Sequence, residues 1–238
     1  MKEYSVEESR KAWENNAAFW DDYMGDASNR FHRETVRPKV SELLHITADD
    51  FILDIGCGNG NYSAYLAEKG AEVVAFDYSR TMIKLAKKRQ RKYQDKIRFH
   101  VIDATNKQEL MTLERSRPYT KAVSNMAIMD MAEITHLFQA VYHLIEENGV
   151  FVFATQHPCF ITLTDQYLTA HSYKDIAIEG QPQPHCYYRR SLQDLFHTFF
   201  QHGFLIDGFY EESHGQQETP DIIIVRARKI AKMERKWI

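Results

Sequence analysis

The sequence has three cysteines, no long apolar run and no large excess of charge, and each shortage excludes a class of protein. Cys57, Cys159 and Cys186 lie far apart and form neither a disulfide framework nor a CxxC motif. His157 and His185 stand near the last two, but their spacing matches no standard zinc pattern, so we expect no metal.

No stretch approaches the roughly 18 apolar residues of a membrane helix. The N-terminal stretch MKEYSVEESRKAWENN contains no apolar run that could serve as a secretory signal. We therefore expect a protein of the reducing cytoplasm with no membrane partner.

The charge balance also limits the possible partners. The chain has 30 Lys and Arg against 33 Asp and Glu, a net charge of −3, so it is not built as a whole to bind polyphosphate. Two basic stretches, Lys87–Lys96 and Arg226–Lys236, are interpreted as a solvated helix face and a chain end. Contact of these stretches with RNA phosphates is the alternative. We do not expect nucleic acid to be the partner.

The chain from residue 5 to His157 alternates apolar strands with amphipathic helices. Its length of 238 residues suits one domain with an elaboration. Two N-terminal helices are predicted at 5–24 and 31–46. Strands are predicted at 50–57, 71–78, 96–104, 119–129 and 149–157, and the helices between them at 61–70, 80–94, 107–115 and 133–149. Repeated strand–helix units imply an α/β fold with a doubly wound, mostly parallel sheet and helices on both faces.

The pattern changes after His157. Residues 158–190 contain three prolines, five Tyr or Phe residues and little periodicity, which predicts a loop-rich insertion. A helix follows at 191–204. Two strands at 204–213 and 221–230, separated by the polar turn HGQQETP, predict an antiparallel hairpin that completes a seven-stranded sheet.

The sequence LDIGCGNG, from Leu53 to Gly60, joins the first strand to a helix and is a candidate ligand-binding turn. A dinucleotide-binding turn has glycine or alanine where Asn61 stands here. Asp54, two residues before the first glycine, suits a ligand with a positively charged amine, and the glycines would let its amino-acid part lie against the backbone. A purely structural strand-to-helix turn is the alternative.

Polar residues also follow the next three strands. Asp77 ends the second strand, where a doubly wound sheet places an acid against a ribose; a helix N-cap is its alternative role. Asp103 ends the third strand, where it could also be an ordinary loop acid. Asn125 stands at the end of the fourth. Ligands bind at the carboxyl ends of strands in open α/β sheets, so we expect these residues to share one site.

Over roughly residues 45–156 these motifs resemble those of the class I S-adenosylmethionine-dependent methyltransferases. The resemblance implies a Rossmann-like methyltransferase fold and S-adenosyl-L-methionine as the cofactor. It places Tyr78 and Met82 at the adenine slot, Asp103 and Ala104 at the adenine amine and ring, and the segment from Asn125 along the methionine part. The implied cofactor-binding residues are Asp54, Gly56, Cys57, Gly58, Gly60, Asp77, Tyr78, Met82, Asp103, Ala104, Asn125, Met126 and Trp20.

The segment QHPCF after the fifth strand resembles that of small-molecule methyltransferases of this class. His157 within it is the candidate base for an acceptor that starts protonated, and its alternative role is to order the loop by hydrogen bonding. Trp20 and its aromatic neighbours Phe19 and Phe31 are expected to form a packing face of the first helix or to close over the cofactor.

The whole chain is predicted to be a single methyltransferase domain in four parts. These are an N-terminal helical cap (1–45), a cofactor-binding core (46–157), an acceptor-side insertion (158–190) and a C-terminal helix and hairpin (191–238). The expected function is methyl transfer to a small-molecule acceptor by a monomer or homodimer. An RNA or protein methyltransferase, a non-catalytic S-adenosylmethionine-binding protein and an NAD-dependent oxidoreductase are the alternatives.

Overall fold

A seven-stranded mixed sheet forms the centre of the structure, a computed structural model that describes residues 4–159, 166–215 and 218–231. The strand order is β3-β2-β1-β4-β5-β9-β8, and β1 to β5 are parallel while β9 and β8 run antiparallel at one edge. The strands are β1 (Phe51–Ile55), β2 (Glu72–Asp77), β3 (Ile97–Val101), β4 (Tyr119–Asn125), β5 (Ile145–Gln156), β8 (Phe204–Glu212) and β9 (Ile222–Lys229). The predicted fold class, a doubly wound sheet with an antiparallel C-terminal hairpin, is confirmed.

Helices cover both faces of this sheet because its strands alternate their side chains between two apolar layers. In β1, Leu53 belongs to one buried cluster and Ile52 to the other. The first cluster packs under α5, α6 and α7, and the second under α2, α3 and α4. The helices are α1 (Val6–Met24), α2 (Arg37–Leu44), α3 (Asn61–Glu68), α4 (Arg80–Arg89), α5 (Lys107–Met111), α6 (Thr135–Leu144) and α7 (Leu192–Gln201).

The helix α1 lies over the carboxyl ends of the strands instead of packing into either layer. A capping box of Ser5 and Glu8 fixes its start. Farther along, the Glu14 carboxylate accepts hydrogen bonds from the backbone N–H groups of Arg80 (2.6 Å) and Thr81 (3.2 Å), which are otherwise unpaired at the start of α4. The chain therefore folds its N-terminal helix back onto the sheet edge where a ligand is expected.

Several predicted element boundaries differ from the structure. The second helix is a π-helical segment (His32–Val36) that leads into α2, with a proline in the first turn. The helix α6 ends at Leu144, five residues before its predicted end, because Ile145 already pairs with Tyr119 of β4. Asn148, with φ of +64°, lies in the irregular stretch before pairing resumes at Val150.

The insertion is also more ordered than predicted. It contains a two-stranded antiparallel sheet formed by β6 (His171–Asp175) and β7 (His185–Arg189). All five residues of β7 are buried, and the ring of Tyr173 stacks on that of Tyr187 across the ladder. Cross-strand aromatic pairs of this kind stabilise a short hairpin without the alternating polarity that marks a strand in sequence. Within the described residues, no helix combines the length and the apolar character that crossing a membrane requires.

Candidate active site

Two adjoining cavities lie at the carboxyl ends of β1, β2, β3 and β4, beneath α1. The smaller has a volume of about 90 Å³ and the larger about 510 Å³. The residues that line both are Trp13, Gly56, Gly58, Met126 and Asp130. The α1 helix and the hairpin β6–β7 form much of the wall that faces the sheet. This arrangement places two compartments against one glycine-rich turn.

The turn after β1 brings bare backbone to both cavities. Gly56 has φ of +67°, and a Cβ there would lie 2.4 Å from the Cβ of Ala127, so only glycine fits. Gly58 has φ of +53° and faces open space, where an added Cβ would meet nothing within 4 Å. The main chain at Gly58 is therefore open to the approach of a ligand.

The small cavity gathers the predicted residues of β2 and β3. Asp77 accepts hydrogen bonds from the N–H groups of Gly58 (3.0 Å) and Ser79 (2.9 Å), which ties the ends of the first two strands together. Tyr78 is fixed by a 2.9 Å hydrogen bond between its hydroxyl and that of Ser9 on α1. Asp103 accepts from the backbone and hydroxyl of Thr105 (2.8 and 2.7 Å). The rest of the wall of the small cavity includes Phe76, Ile102 and Ala104, which form an apolar slot for a flat ring.

The large cavity gathers the predicted residues of β1 and β4. Asp54 is buried, and the Ser63 hydroxyl donates a hydrogen bond to it. The side-chain oxygen Oδ1 of Asn125 is also buried, and it has no hydrogen-bond partner within the ranges that the structure describes. Met126 follows in the left-handed conformation, with φ of +58°. The residues of this cavity that the sequence predicted are Trp20, Asp54, Gly56, Cys57, Gly58, Met82, Asn125 and Met126.

The two carboxyl groups nearest the turn are electrostatically unusual. Burial raises the pKa of Asp54 to about 7, and the nearby charge of Asp77 adds to the rise. Burial raises the pKa of Asp77 to about 6 against the lowering effect of its backbone hydrogen bonds. Asp54, which is buried, and Asp77, which is half-buried, favour a ligand that brings hydrogen-bond donors or positive charge. The site thus fits the ribose and ammonium of S-adenosylmethionine better than a pyrophosphate.

Two predicted residues lie outside both cavities. Gly60, with φ of +76°, begins α3, and a Cβ there would lie 2.8 Å from the ring of Phe99, so its role in the structure is to shape the turn. His157 is 2% exposed and lines a separate space of about 30 Å³. Met82 lies at the large cavity, whereas the resemblance places it at the adenine slot.

Both ring nitrogens of His157 are engaged in hydrogen bonds. Its Nδ1 accepts from the backbone N–H of Cys159 (3.0 Å), so Nε2 carries the proton and donates to the carboxylate of Glu211 (2.9 Å). Burial lowers the pKa of His157, and Glu211 opposes that shift. This geometry matches the loop-ordering alternative, and the base role of His157 stays a prediction.

Several residues of the site were not predicted from the sequence. Trp13 lines both cavities, and its ring stacks on His185 with centroids 4.0 Å apart. Asp130 also lines both, and its buried Oδ1 finds no partner within the described part of the chain. For Trp13, the signal in the sequence was its seven-residue spacing from Trp20, which places both on one face of the helix. Among the described residues, no group of three or more His, Cys, Asp or Glu side chains could hold a metal ion.

Comparison with known proteins agrees with this geometry. The methyltransferase domain family matches residues 46–203. Trans-aconitate 2-methyltransferase of Yersinia pestis is 28% identical over 133 residues, which are 54% of this chain and 48% of that protein. The chain spans about half the length of the curated relatives it matches.

Solved structures share the fold. An S-adenosylmethionine-dependent methyltransferase of Mesorhizobium loti matches with a TM-score of 0.67 and 21% identity, over 81% of this chain and 96% of that one. Magnesium protoporphyrin IX methyltransferase of Synechocystis, solved with bound S-adenosylhomocysteine, matches with a TM-score of 0.62 and 16% identity, over 92% and 97%. The fold and site define a class I S-adenosylmethionine-dependent methyltransferase. The chain belongs to the methyltransferase domain family, and S-adenosylmethionine is the cofactor of this class, as the resemblance implied.

Proposed function

We propose that this protein transfers the methyl group of S-adenosylmethionine to a small-molecule acceptor bound in the large cavity. The observation that carries the proposal is the pair of adjoining cavities, one of about 90 Å³ and one of about 510 Å³, which share the wall around Gly56 and Gly58. The small cavity suits the adenine ring, and the large one leaves room for an acceptor beside the methionine part. An RNA or a folded protein would need an open surface at this point, where α1 and the hairpin β6–β7 stand.

The cofactor supplies an electrophilic methyl group on a sulfonium, which is already a good leaving group. The chain therefore acts mainly by positioning and by excluding water. Asp77 would accept hydrogen bonds from the ribose hydroxyls of the bound cofactor, and Asn125 Oδ1, which lacks a partner among the described residues, would accept one from its ammonium. Trp13 and Trp20 on α1 keep water from the space between the two compartments.

The first experiment is calorimetric titration with S-adenosylmethionine, S-adenosylhomocysteine and NAD. We expect both sulfur nucleosides to bind in the micromolar range and NAD not to bind, and we expect Asp77→Asn to weaken the first two. The exposed carboxylate of Glu7, replaced in Glu7→Gln, provides the matched control. Binding of NAD instead, or of none of the three below millimolar concentration, would contradict the proposed function.

A second experiment separates the acceptor classes. The protein is incubated with S-adenosylmethionine labelled in its methyl group and with a cell extract that is then divided by ultrafiltration. Label in the low-mass filtrate is the expected result. Label in the retained RNA or protein would support a macromolecular acceptor, and label in neither fraction, with the cofactor bound, would support a non-catalytic binding protein.

A further inference from the structure

His185 is a buried histidine at the large cavity that the cofactor does not require. It lies on β7 in the insertion and is 1% exposed. Its ring stacks on Trp13 at 4.0 Å with an angle of 18° and lies 5.6 Å from the ring of Trp20. Two tryptophan rings of α1 thus fix the orientation of an imidazole that β7 carries.

The Nε2 atom of His185 is buried and has no hydrogen-bond partner in the part of the chain that the structure describes. An unpaired buried polar atom costs about 1–3 kcal/mol, so a partner from outside the chain would offset that cost. The same ring lines the large cavity. A ligand in that cavity is therefore the natural partner of Nε2.

The protonation of His185 limits what that ligand can be. Burial lowers the pKa of His185 to about 4, so the ring is neutral near pH 7 and presents a nitrogen lone pair. A neutral imidazole has one N–H donor and one acceptor nitrogen; with Nε2 as the acceptor, His185 pairs there with a hydroxyl or an N–H, whereas a carboxylate would find no donor at that atom. Arg37, the guanidinium that lines the cavity, already donates to the Ala27 carbonyl and to the Ser28 hydroxyl (both 3.1 Å).

The walls of the cavity indicate the shape of the ligand. Aromatic side chains from α1, from the segment before α2 and from β7 face the space, which favours a flat ring. These side chains are Trp13, Trp20, Tyr23, Phe31 and Tyr187. A planar acceptor with a neutral hydroxyl satisfies both the aromatic walls and the lone pair.

We propose that His185 is the acceptor-side base of the reaction, and that Nε2 accepts first the hydrogen bond and then the proton of an aromatic hydroxyl. This inference rests on the proposed function and names the acceptor class of the same site: neutral phenols.

The electrons and the proton balance as follows. A lone pair of the hydroxyl oxygen forms the new bond to the methyl carbon, and the electrons of the breaking carbon–sulfur bond stay on sulfur, which becomes a thioether. The hydroxyl proton moves to Nε2 of His185 and is later lost to solvent. The oxygen becomes strongly acidic as the O–C bond forms, so a neutral imidazole of low basicity can take the proton.

The test measures binding, because the natural acceptor is unidentified. The probes are 4-hydroxybenzamide and its methyl ether 4-methoxybenzamide, which are neutral and differ by the hydrogen-bond donor. On protein saturated with S-adenosylhomocysteine, we expect the phenol to bind about tenfold more tightly than the ether, the value of one net hydrogen bond. His185→Phe keeps a flat ring on Trp13 and should abolish that preference without changing the affinity for S-adenosylhomocysteine.

Two matched variants complete the design. His143→Gln changes an exposed histidine on α6, and His157→Asn changes the other candidate base; both should keep the preference for the phenol. If His185→Phe fails to fold, the ¹⁵N chemical shift of Nε2 in the wild-type protein replaces it and should move with the phenol only.

Equal binding of the two probes, binding of neither, or a preference that survives His185→Phe would overturn the inference. A preference lost in His157→Asn and kept in His185→Phe would assign the base to His157. Failure to bind S-adenosylhomocysteine would instead refute the proposed function, so the two failures are distinguishable.

Discussion

At the scale of single residues, the acids beside the glycine-rich turn make cofactor binding depend on pH. In the protein without cofactor, burial raises the pKa of Asp54 to about 7 and of Asp77 to about 6. A bound ammonium and two hydroxyl donors favour the ionised carboxylates, so binding releases protons. We expect the affinity for S-adenosylmethionine to rise between about pH 5.5 and pH 7.5, by at most about tenfold per pH unit for each acid, and to level off above.

Calorimetry in two buffers of different ionisation enthalpy measures the released protons directly. Asp54→Asn should weaken binding and remove the upper part of the pH dependence, leaving the step that belongs to Asp77. An affinity that stays constant over this range would show that neither acid changes its ionisation when the cofactor binds.

The stability of the protein should also rise with pH, because of His185. Its folded-state pKa of about 4 lies below the ordinary value of 6.5, so the unfolded chain binds the proton more tightly between these values. The stabilisation is complete above about pH 6.5 and is lost as the pH falls through 4, a change of about 3 kcal/mol for this one group. Urea unfolding of the wild type and of His185→Phe at both ends of this range should show a difference of that size.

If the free energy of unfolding changes with pH by the same amount in the two proteins, His185 titrates normally in the folded state. His143→Gln, on an exposed residue, should leave the wild-type dependence of stability on pH unchanged. His32, which is half-buried, also has a pKa that desolvation lowers to about 4. The wild-type dependence of stability on pH therefore contains both contributions, and the difference between variants isolates His185.

The residues predicted from sequence share one property, which is that they end a strand of the parallel sheet. Asp54, Asp77 and Asn125 could be placed because topology brings successive strand ends together. Asp130 and His185 could not be placed from the sequence, because their role depends on which loop and which hairpin fold over the site. Sequence spacing carries little information about contacts between segments far apart in the chain.

At the scale of the elements, α1 covers the site, and polar contacts fix its C-terminal end. Arg89 of α4 forms two hydrogen bonds to the Asp21 carboxylate (2.7 and 2.8 Å), and Asn59 of the turn donates to the same group (3.1 Å). Asn61, which replaces the third glycine of a dinucleotide motif, donates to the Gly25 carbonyl (2.9 Å). Asn61, whose presence argues against a pyrophosphate, thus also has a structural role, because it binds the end of α1.

Loosening these contacts should weaken cofactor binding. Asp21→Asn leaves Arg89 with a weaker partner, and breaking a largely buried ion pair costs on the order of 3 kcal/mol. We expect roughly a tenfold loss of affinity for S-adenosylhomocysteine and faster tryptic cleavage within α1. Both are measurable on purified protein by titration and by timed proteolysis.

Glu7→Gln is the matched control on the same helix, because Glu7 pairs with Arg10 at the exposed surface and surface pairs contribute little. Unchanged affinity and unchanged cleavage in Asp21→Asn would show that the Asp21–Arg89 pair is not needed to hold α1 over the site.

The boundaries of elements were less predictable than their order. The helix α6 and the strand β5 meet without a loop at Leu144 and Ile145, two adjacent apolar residues. Pairing of Ile145 with Tyr119 decides the boundary, and that contact spans strands far apart in sequence. The hairpin β6–β7 was missed for a related reason, since β7 is buried on both sides and lacks alternation.

At the scale of the whole molecule, the sheet and two added segments form different parts of the site. The core from β1 to β5 has the parallel sheet that the sequence predicted, and the residues expected to bind the cofactor lie at its strand ends. The helix α1 and the hairpin β6–β7 supply Trp13, Trp20 and His185 to the cavity walls. We infer that the core fixes the methyl donor and the added segments select the acceptor, a division that fold alone does not decide.

The last prediction concerns ligand-linked stability of the complete chain. A ligand that binds the folded state alone stabilises it by about 2.7 kcal/mol at a concentration 100 times its Kd. S-adenosylhomocysteine at that excess should therefore raise Tm by about 5–10 °C for a domain of this size. NAD at the same concentration should leave Tm unchanged, because Asp54 and Asp77 face the place where its pyrophosphate would lie. Stabilisation by NAD, or none by S-adenosylhomocysteine, would contradict the assignment of the two cavities to a sulfonium nucleoside.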